Sequence, residues 1–452
     1  MTIREMGRFL RTGKVSCVEL VEDALQKANT IGKELNAFIT LDADRALETA
    51  TERDRELAAS IDRGPLHGIP TAHKDLFLTR NLRTTAGSLI FRDFIPDHDA
   101  TAVEKLTVAG AVSIGKANLH ELAYGITSKN LHYGYVHNAR DPDRIPGGSS
   151  GGSATAIAAG IIPMSLGTDT GGSIRVPSSY CGITGIKPTY GRVSRCGVLP
   201  LSFSFDHVGP LGSCVEDCAL ALSAIAGHDA RDPSSVVEPV PAYSAEPQKR
   251  LDGLKIGVPS NFFFSGIDAE VEASVKAAIA AMEKLGADAR EIQVPDIAAI
   301  NATQIVIQLA EVSALYVHER DANRFSPATW NLLEQGRLIQ ATEYVNAQRL
   351  RSIFRREFNA VWQQVHVLAV PVTPITAPLM TDTTVNISGV DEDVRMASTR
   401  LMRTANLLGD PALAMPCGKS KSGLPIGLQL IGPPFSEPLL LRLAGTLEAA
   451  LN

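Results

Sequence analysis

The chain has 452 residues, 44% of them hydrophobic and 20% charged, enough to bury a large core. A formal net charge of -6, with no Lys/Arg run longer than a pair, leaves no basic field for a phosphate backbone, so no direct nucleic-acid partner is expected. Six cysteines, at positions 17, 181, 196, 214, 218 and 417, are too sparse for a disulfide framework and never form Cys-x-x-Cys, which fits a reduced, cytoplasmic setting.

The opening MTIREMGRFLRTGK is amphipathic and charged, without the apolar block and small-residue cleavage site of a secretory signal. Ser16 starts a capping-box pattern with Glu19, and Leu20, Val21, Ala24, Leu25 and Ala28 recur on one face, predicting a helix over 16–29. A more charged helix is expected over 43–62. PLHGIPTAHKDLFL then reads as turn, short buried strand and loop, with Lys74 at the strand's end. ATAVEKLTVAGAVSIGKAN predicts a helix and a strand ending near Gly115, the alternation of an α/β sheet.

Residues 154–167, ATAIAAGIIPMSLG, form the longest weakly polar run; it is too short, and too broken by Pro163 and Ser165, to span a bilayer. Its second half, 161–166, reads as a buried strand. Residues 228–252 are rich in Pro, Ser and charge and are expected to be a surface loop between strands of one sheet. LKIGVP and the following DAEVEASVKAAIAAMEKLGADAREIQVP give strand, helix and strand. Helices with charged faces fill 300–365, and VHVLAVPVTPITAP supplies another buried strand with a proline-punctuated exit.

The chemistry concentrates in GGSSGGSATAIAAG, 147–160. A Walker-type phosphate loop needs a lysine after its last glycine, and Ser153 stands there instead. Gly-x-Ser-x-Gly occurs twice, but a nucleophile elbow requires a buried strand before it, and HNARDPDRIP reads as an exposed loop. A flexible linker should lead into solvated sequence, whereas SATAIAAG predicts a closely packed helix that anchors the loop. An ordered glycine-rich loop carrying hydroxyls is a place for chemistry.

A second segment, SLGTDTGGSIRVPSSYCG at 165–182, again sets a serine after two glycines. With Gly167 to Gly172 at a strand's end, several N–H groups can converge on one point, as a developing oxyanion requires. Ser173 would be the nucleophile. No histidine lies between His137 and His207, but a buried lysine whose ammonium form is disfavoured can serve as base, and Lys74 is the candidate. The competing reading pairs Lys74 with Asp75 or another carboxylate.

Together, HKDLF around Lys74, GGSSGGS at 147–153 and GTDTGGSIRVPSSYCGITGIKPTYGRVSR at 167–195 resemble the amidase signature family. TTAGS, AGAVSIGKAN, FDHVGPLG and GLPIGLQLIG extend the resemblance over nearly the whole chain, most weakly over 230–360. It implies one α/β/α domain with a large mixed central sheet flanked by helices. Within 1–452, N-terminal helices (1–65) would precede a catalytic core (66–225), a variable helical and βαβ insertion (226–360) and a C-terminal return to the core sheet (361–452).

Carried over by position, Ser173 resembles the family's nucleophile, Ser149 the bridging serine after a cis peptide bond, and Lys74 the general base. Backbone N–H groups of Thr170, Gly171, Gly172 and Ser173 would form the oxyanion hole. Ser150, Asp169 and Arg175 would orient the loop, and Leu122, Tyr124 and Ile126 would line an acyl pocket. The resemblance implies a serine amidohydrolase without metal or cofactor. Its substrate would be a small amide, carbamate or ester, urethane, aryl-acylamide and biuret or urea types included, with no membrane partner, and the protein a monomer or homo-oligomer. The alternative is the glutamine-hydrolysing component of a tRNA-dependent amidotransferase, its A chain, which needs partner subunits. Two departures from the family pattern stand out. LLGDP at 407–411 replaces Ala-Gly-Leu-Pro, so Asp410 is expected at the pocket or an entrance loop, and His366 stands where an aspartate is frequent.

Overall fold

The computed structural model describes residues 1–451. Eleven strands form one mixed sheet. Its order is Phe38–Leu41, Val112–Ala117, Pro70–Lys74, Met164–Asp169, His207–Gly212, Thr184–Lys187, Ala412–Lys419, Pro425–Ile431, Val367–Pro371, Lys255–Pro259 and Asp288–Ile292. Parallel pairing joins Pro70–Lys74 to both Val112–Ala117 and Met164–Asp169, and joins Lys255–Pro259 to its two neighbours; the remaining pairs are antiparallel.

Strand side chains alternate between faces, and the sheet buries both. Val367 and Ala369 enter one hydrophobic core while Leu368 and Val370 enter the other; Leu413 and Met415 divide from Ala412 and Ala414 in the same way. Helices cover each face, giving three layers. The strands on either side of 228–252 belong to this one sheet, and that segment carries no helix or strand.

Several boundaries follow local rules. Ser16 caps Cys17–Asn29: its Oγ accepts the Glu19 N–H at 3.1 Å while Glu19 Oε2 accepts the Ser16 N–H at 2.7 Å. The charged helix runs Ala43–Ala58 and stops short of residue 62, because the chain reverses at Ser60 (φ 62°) and Ile61 N–H bonds back to Glu56. The strand expected at 161–166 lies at Met164–Asp169, since pairing with His207–Gly212 continues to Asp169 opposite His207.

The helix Ile297–Leu315 could by length and composition alone cross a membrane. In the fold it packs on helices Pro327–Arg337 and Ala341–Trp362 and buries Gln304 and Glu311 in hydrogen bonds. Glu311 accepts from Ser204 N–H at 3.1 Å and Tyr344 at 3.1 Å, and Gln304 donates to Thr170 O at 3.0 Å.

Candidate active site

The parallel strands Pro70–Lys74 and Met164–Asp169 are neighbours, with His73 opposite Leu166, so Lys74 and the loop after Asp169 emerge at the same carboxyl edge. Open α/β sheets place their ligand crevices at such edges. The helix Gly151–Ala158 holds the glycine-serine loop here. Its small residues permit close approach, and a Cβ on Gly152 would lie 2.4 Å from the Asn118 carbonyl and 2.5 Å from that of Ala37. The Gly148–Ser149 peptide is cis.

Lys74 is fully buried, with Nζ 2.8 Å from Ser149 Oγ and 2.8 Å from Thr168 Oγ1. Thr168, which no sequence signal singled out, sits inside the GTDTGGS motif itself. Burial pushes the Lys74 ammonium down to about 7, against the pull of Asp169 and Asp206. Asp75 does not pair with it: its carboxylate accepts the Thr85 N–H at 2.9 Å and faces Lys116. The two serine loops are tied where Ser150 N–H donates to Ser173 O at 3.3 Å, and Ser150 Oγ donates to Thr168 O at 3.3 Å.

Asp169 folds its own loop back. It accepts from Gly172 N–H at 2.8 Å, Ile174 N–H at 3.1 Å, Arg175 at 2.9 and 3.0 Å, and Asn406 at 2.8 Å. Burial alone would raise this carboxyl, but the Arg175 guanidinium holds it well below the usual carboxylate range. Arg175 is itself buried and also donates to Met402 O at 3.0 Å and Gln429 Oε1 at 2.6 Å. The Gly172 N–H is thus already donated to Asp169, and an oxyanion would have to share it. Thr170, Gly171 and Ser173 remain at the floor of a cleft of about 490 Å³, counting its open mouth. The Thr170 side chain donates to Asp206 Oδ1 at 2.6 Å.

Tyr124 and Ile126 form one wall of this cleft with Ala123 and Gly125. Leu122 does not: it is 3% exposed, at φ 52°, and belongs to the hydrophobic core. The opposite wall comes from Ile305, Gln308 and Leu309 on Ile297–Leu315 and from Arg395, Thr399 and Arg403. Asp410 lies elsewhere. It accepts from Trp362 Nε1 at 3.1 Å and borders a separate cavity with Arg355 and Arg356, so it does not shape the cleft. His366 accepts the Lys255 N–H at 3.1 Å at the sheet's other end.

Residues 19–441 match the family model described as Amidase. The A chain of the glutamyl-tRNA(Gln) amidotransferase of Geotalea daltonii is 40% identical over 476 residues, covering 99% of this chain and 96% of that protein. A solved chain from a vestigial protein complex bearing on the evolutionary origins of an s-triazine catabolic enzyme is 36% identical. It superposes with a TM-score of 0.96 over 99% of this chain and 98% of its own. The native peptide amidase of Stenotrophomonas maltophilia is 30% identical, with a TM-score of 0.86 over 99% and 96%.

Proposed function

Because this chain belongs to the amidase signature family, we propose that it is a serine amidohydrolase that cleaves the C–N bond of a small amide through an acyl-enzyme. The observation that carries this reading is the 2.8 Å contact between the buried Lys74 Nζ and Ser149 Oγ, beside the loop of Ser173. As an ammonium, Lys74 donates to both neighbouring hydroxyls. As a neutral amine it accepts the Ser149 proton, and Ser149 in turn accepts that of Ser173 as the latter attacks the carbonyl.

The tetrahedral oxyanion would rest on N–H groups among Thr170, Gly171 and Ser173. Asp169 and Arg175 keep that loop from having to reorganise as charge develops. Collapse breaks the C–N bond, the relay returns the proton to the departing nitrogen, and water releases the acid by the same path. Carbamates, aryl amides and biuret or urea-type amides differ in leaving group and carbonyl electronics, so the same machinery suits them.

A second reading, favoured by full-length relatives named as the A chains of amidotransferases, is glutamine hydrolysis dependent on partner subunits. The purified chain, offered aliphatic amides, anilides, carbamates, ureas and glutamine without partners, separates the two. Turnover of simple amides, absent in Ser173→Ala, supports the first reading. Inertness alone, with glutaminase activity appearing only in a complex, would replace it by the second.

A further inference from the structure

The cleft is lined by two arginines, Arg395 and Arg403, and by no aspartate or glutamate. Two other buried guanidinium groups have carboxylates, Arg175 with Asp169 and Arg53 with Glu52 and Glu56, while the buried Arg192, away from the cleft, donates to the backbone carbonyls of Glu238 and Pro239. A carboxylate partner is the usual condition for a charge withdrawn from water. Arg403, at the cleft, has none. Only 5% exposed, it donates to the neutral oxygens Gln304 Oε1 and Thr399 Oγ1.

Arg395 stands on the helix Val394–Thr399, and its guanidinium makes no hydrogen bond or ion pair among the described residues. The three acids before it are engaged elsewhere. Asp391 accepts from Asn386 at 2.6 Å, Glu392 lies 3.4 Å from Arg400, and Asp393 caps the helix through the Met396 N–H at 3.0 Å. Burial, then the nearby Arg395, bring the Arg403 guanidinium down to about 10, opposed by Tyr124 and not by a carboxylate.

Building on the amide-hydrolase reading, we propose that the substrate carries a carboxylate a few bonds from the scissile carbonyl, and that Arg395 and Arg403 bind it. A guanidinium offers a planar pair of donors matched to the two oxygens of a carboxylate. Ile305 and Leu309 leave the space between acid and amide apolar. The substrate class is thus the monoamide of a small dicarboxylic acid or a carboxylated urea. A free α-ammonium, as in glutamine, would meet two cations and no acid.

Binding is measured by calorimetry to full-length Ser173→Ala, with succinamate as the anionic probe and 4-oxopentanamide as its neutral isostere. Succinamate should bind at least tenfold more tightly, and less so as salt rises. Arg395→Met, a change at a part-exposed and unbonded side chain, should cut succinamate affinity on the order of 10- to 100-fold and abolish the preference. An unchanged melting temperature and partial recovery in Arg395→Lys would mark the loss as one of charge recognition. Equal binding of the two probes, or equal weakening of both by Arg395→Met, would overturn the proposal. Turnover by the Ser173-intact chain tests the other layer. Salt-sensitive, Arg395-dependent binding with no hydrolysis of any amide would leave the anion site standing and remove the hydrolase reading. Hydrolysis of neutral amides without succinamate binding would remove the anion site alone.

Discussion

Lys116, not Lys74, answers the charge of Asp75: the carboxylate lies 3.7 Å from the Lys116 ammonium, although Lys74 is its neighbour in sequence. A carboxylate paired with Lys74 would favour its charged form and deny the site a base near neutral pH. With Asp75 occupied, burial dominates and the Lys74 ammonium sits at about 7. The active form is the neutral amine, so kcat/KM should rise roughly tenfold per pH unit below about 7 and level off above it. Lys74→Met should abolish this limb together with most of the activity. A pH-rate profile of both proteins checks the assignment, and activity that falls as pH rises through 7 contradicts it.

Ser149 and Ser173 should separate by covalent labelling. A fluorophosphonate should modify Ser173 in the wild type and leave Ser173→Ala unlabelled. Ser149→Ala keeps the nucleophile but breaks the 2.8 Å link to Lys74, so the same residue should react, more slowly. Either substitution should lower kcat on the order of 10⁴-fold, since members of such a relay act as a unit. Peptide mapping that finds the adduct on Ser149 or Ser150 would reverse their roles.

The candidate catalytic residues were legible because each lies in a short contiguous pattern, Lys74 at a strand's end, Ser173 in the loop after another and Ser149 in the loop that starts the helix Gly151–Ala158, and parallel pairing brings Lys74 and the Ser173 loop to one edge. Which of the loop's N–H groups stay free was not legible. The glycines announce donors, but only the folded chain shows Asp169 turning back to take that of Gly172. Leu122 and Tyr124 look equivalent in ELAYGITS, and both pack in the same core, yet across the positive φ of Leu122 and Ala123 only Tyr124 of the two also borders the cleft. The second wall was hidden for another reason. Ile305, Gln308, Arg395 and Arg403 arrive from distant helices through tertiary packing, the first two from the part of the chain where local motifs are weakest.

Two adjacent glycines should respond differently to the same methyl group. Gly172 has φ 115°, and a Cβ there would lie 2.7 Å from Met402 Cγ. Gly172→Ala should destabilise by about 1–3 kcal/mol and reduce kcat at least about tenfold, by displacing the neighbouring N–H groups. At Gly171 a Cβ meets nothing nearer than Arg403 Nη1 at 3.6 Å. Gly171→Ala should melt close to the wild type while raising KM, because the methyl enters the cleft. Melting curves with steady-state kinetics test the contrast, and equal destabilisation of the two variants would contradict it.

Asp410 offers a test of stability independent of catalysis. It is 4% exposed and accepts from Trp362 Nε1, and burial pushes its carboxyl from its ordinary 3.8 up to about 7, opposed by Lys187. The sign follows from proton counting. Between about 4 and about 7 the folded chain holds a proton at Asp410 that the unfolded chain has released, so stability falls as pH rises across that window. Above 7 the whole cost of ionising a buried acid is present. An asparagine side chain has nearly the same shape, never ionises and still offers Trp362 an oxygen, while the Lys187 bond to the backbone carbonyl of Asp410 at 2.6 Å does not involve the side chain. The Asp410→Asn variant should therefore match the wild type near pH 4 and melt at progressively higher temperature than it up to pH 8. Lys187, itself buried and brought down to about 7, is the group that could reverse this. If the wild type instead gains on the variant as pH rises, Asp410 is ionised in the folded state and its attraction to the Lys187 ammonium outweighs burial.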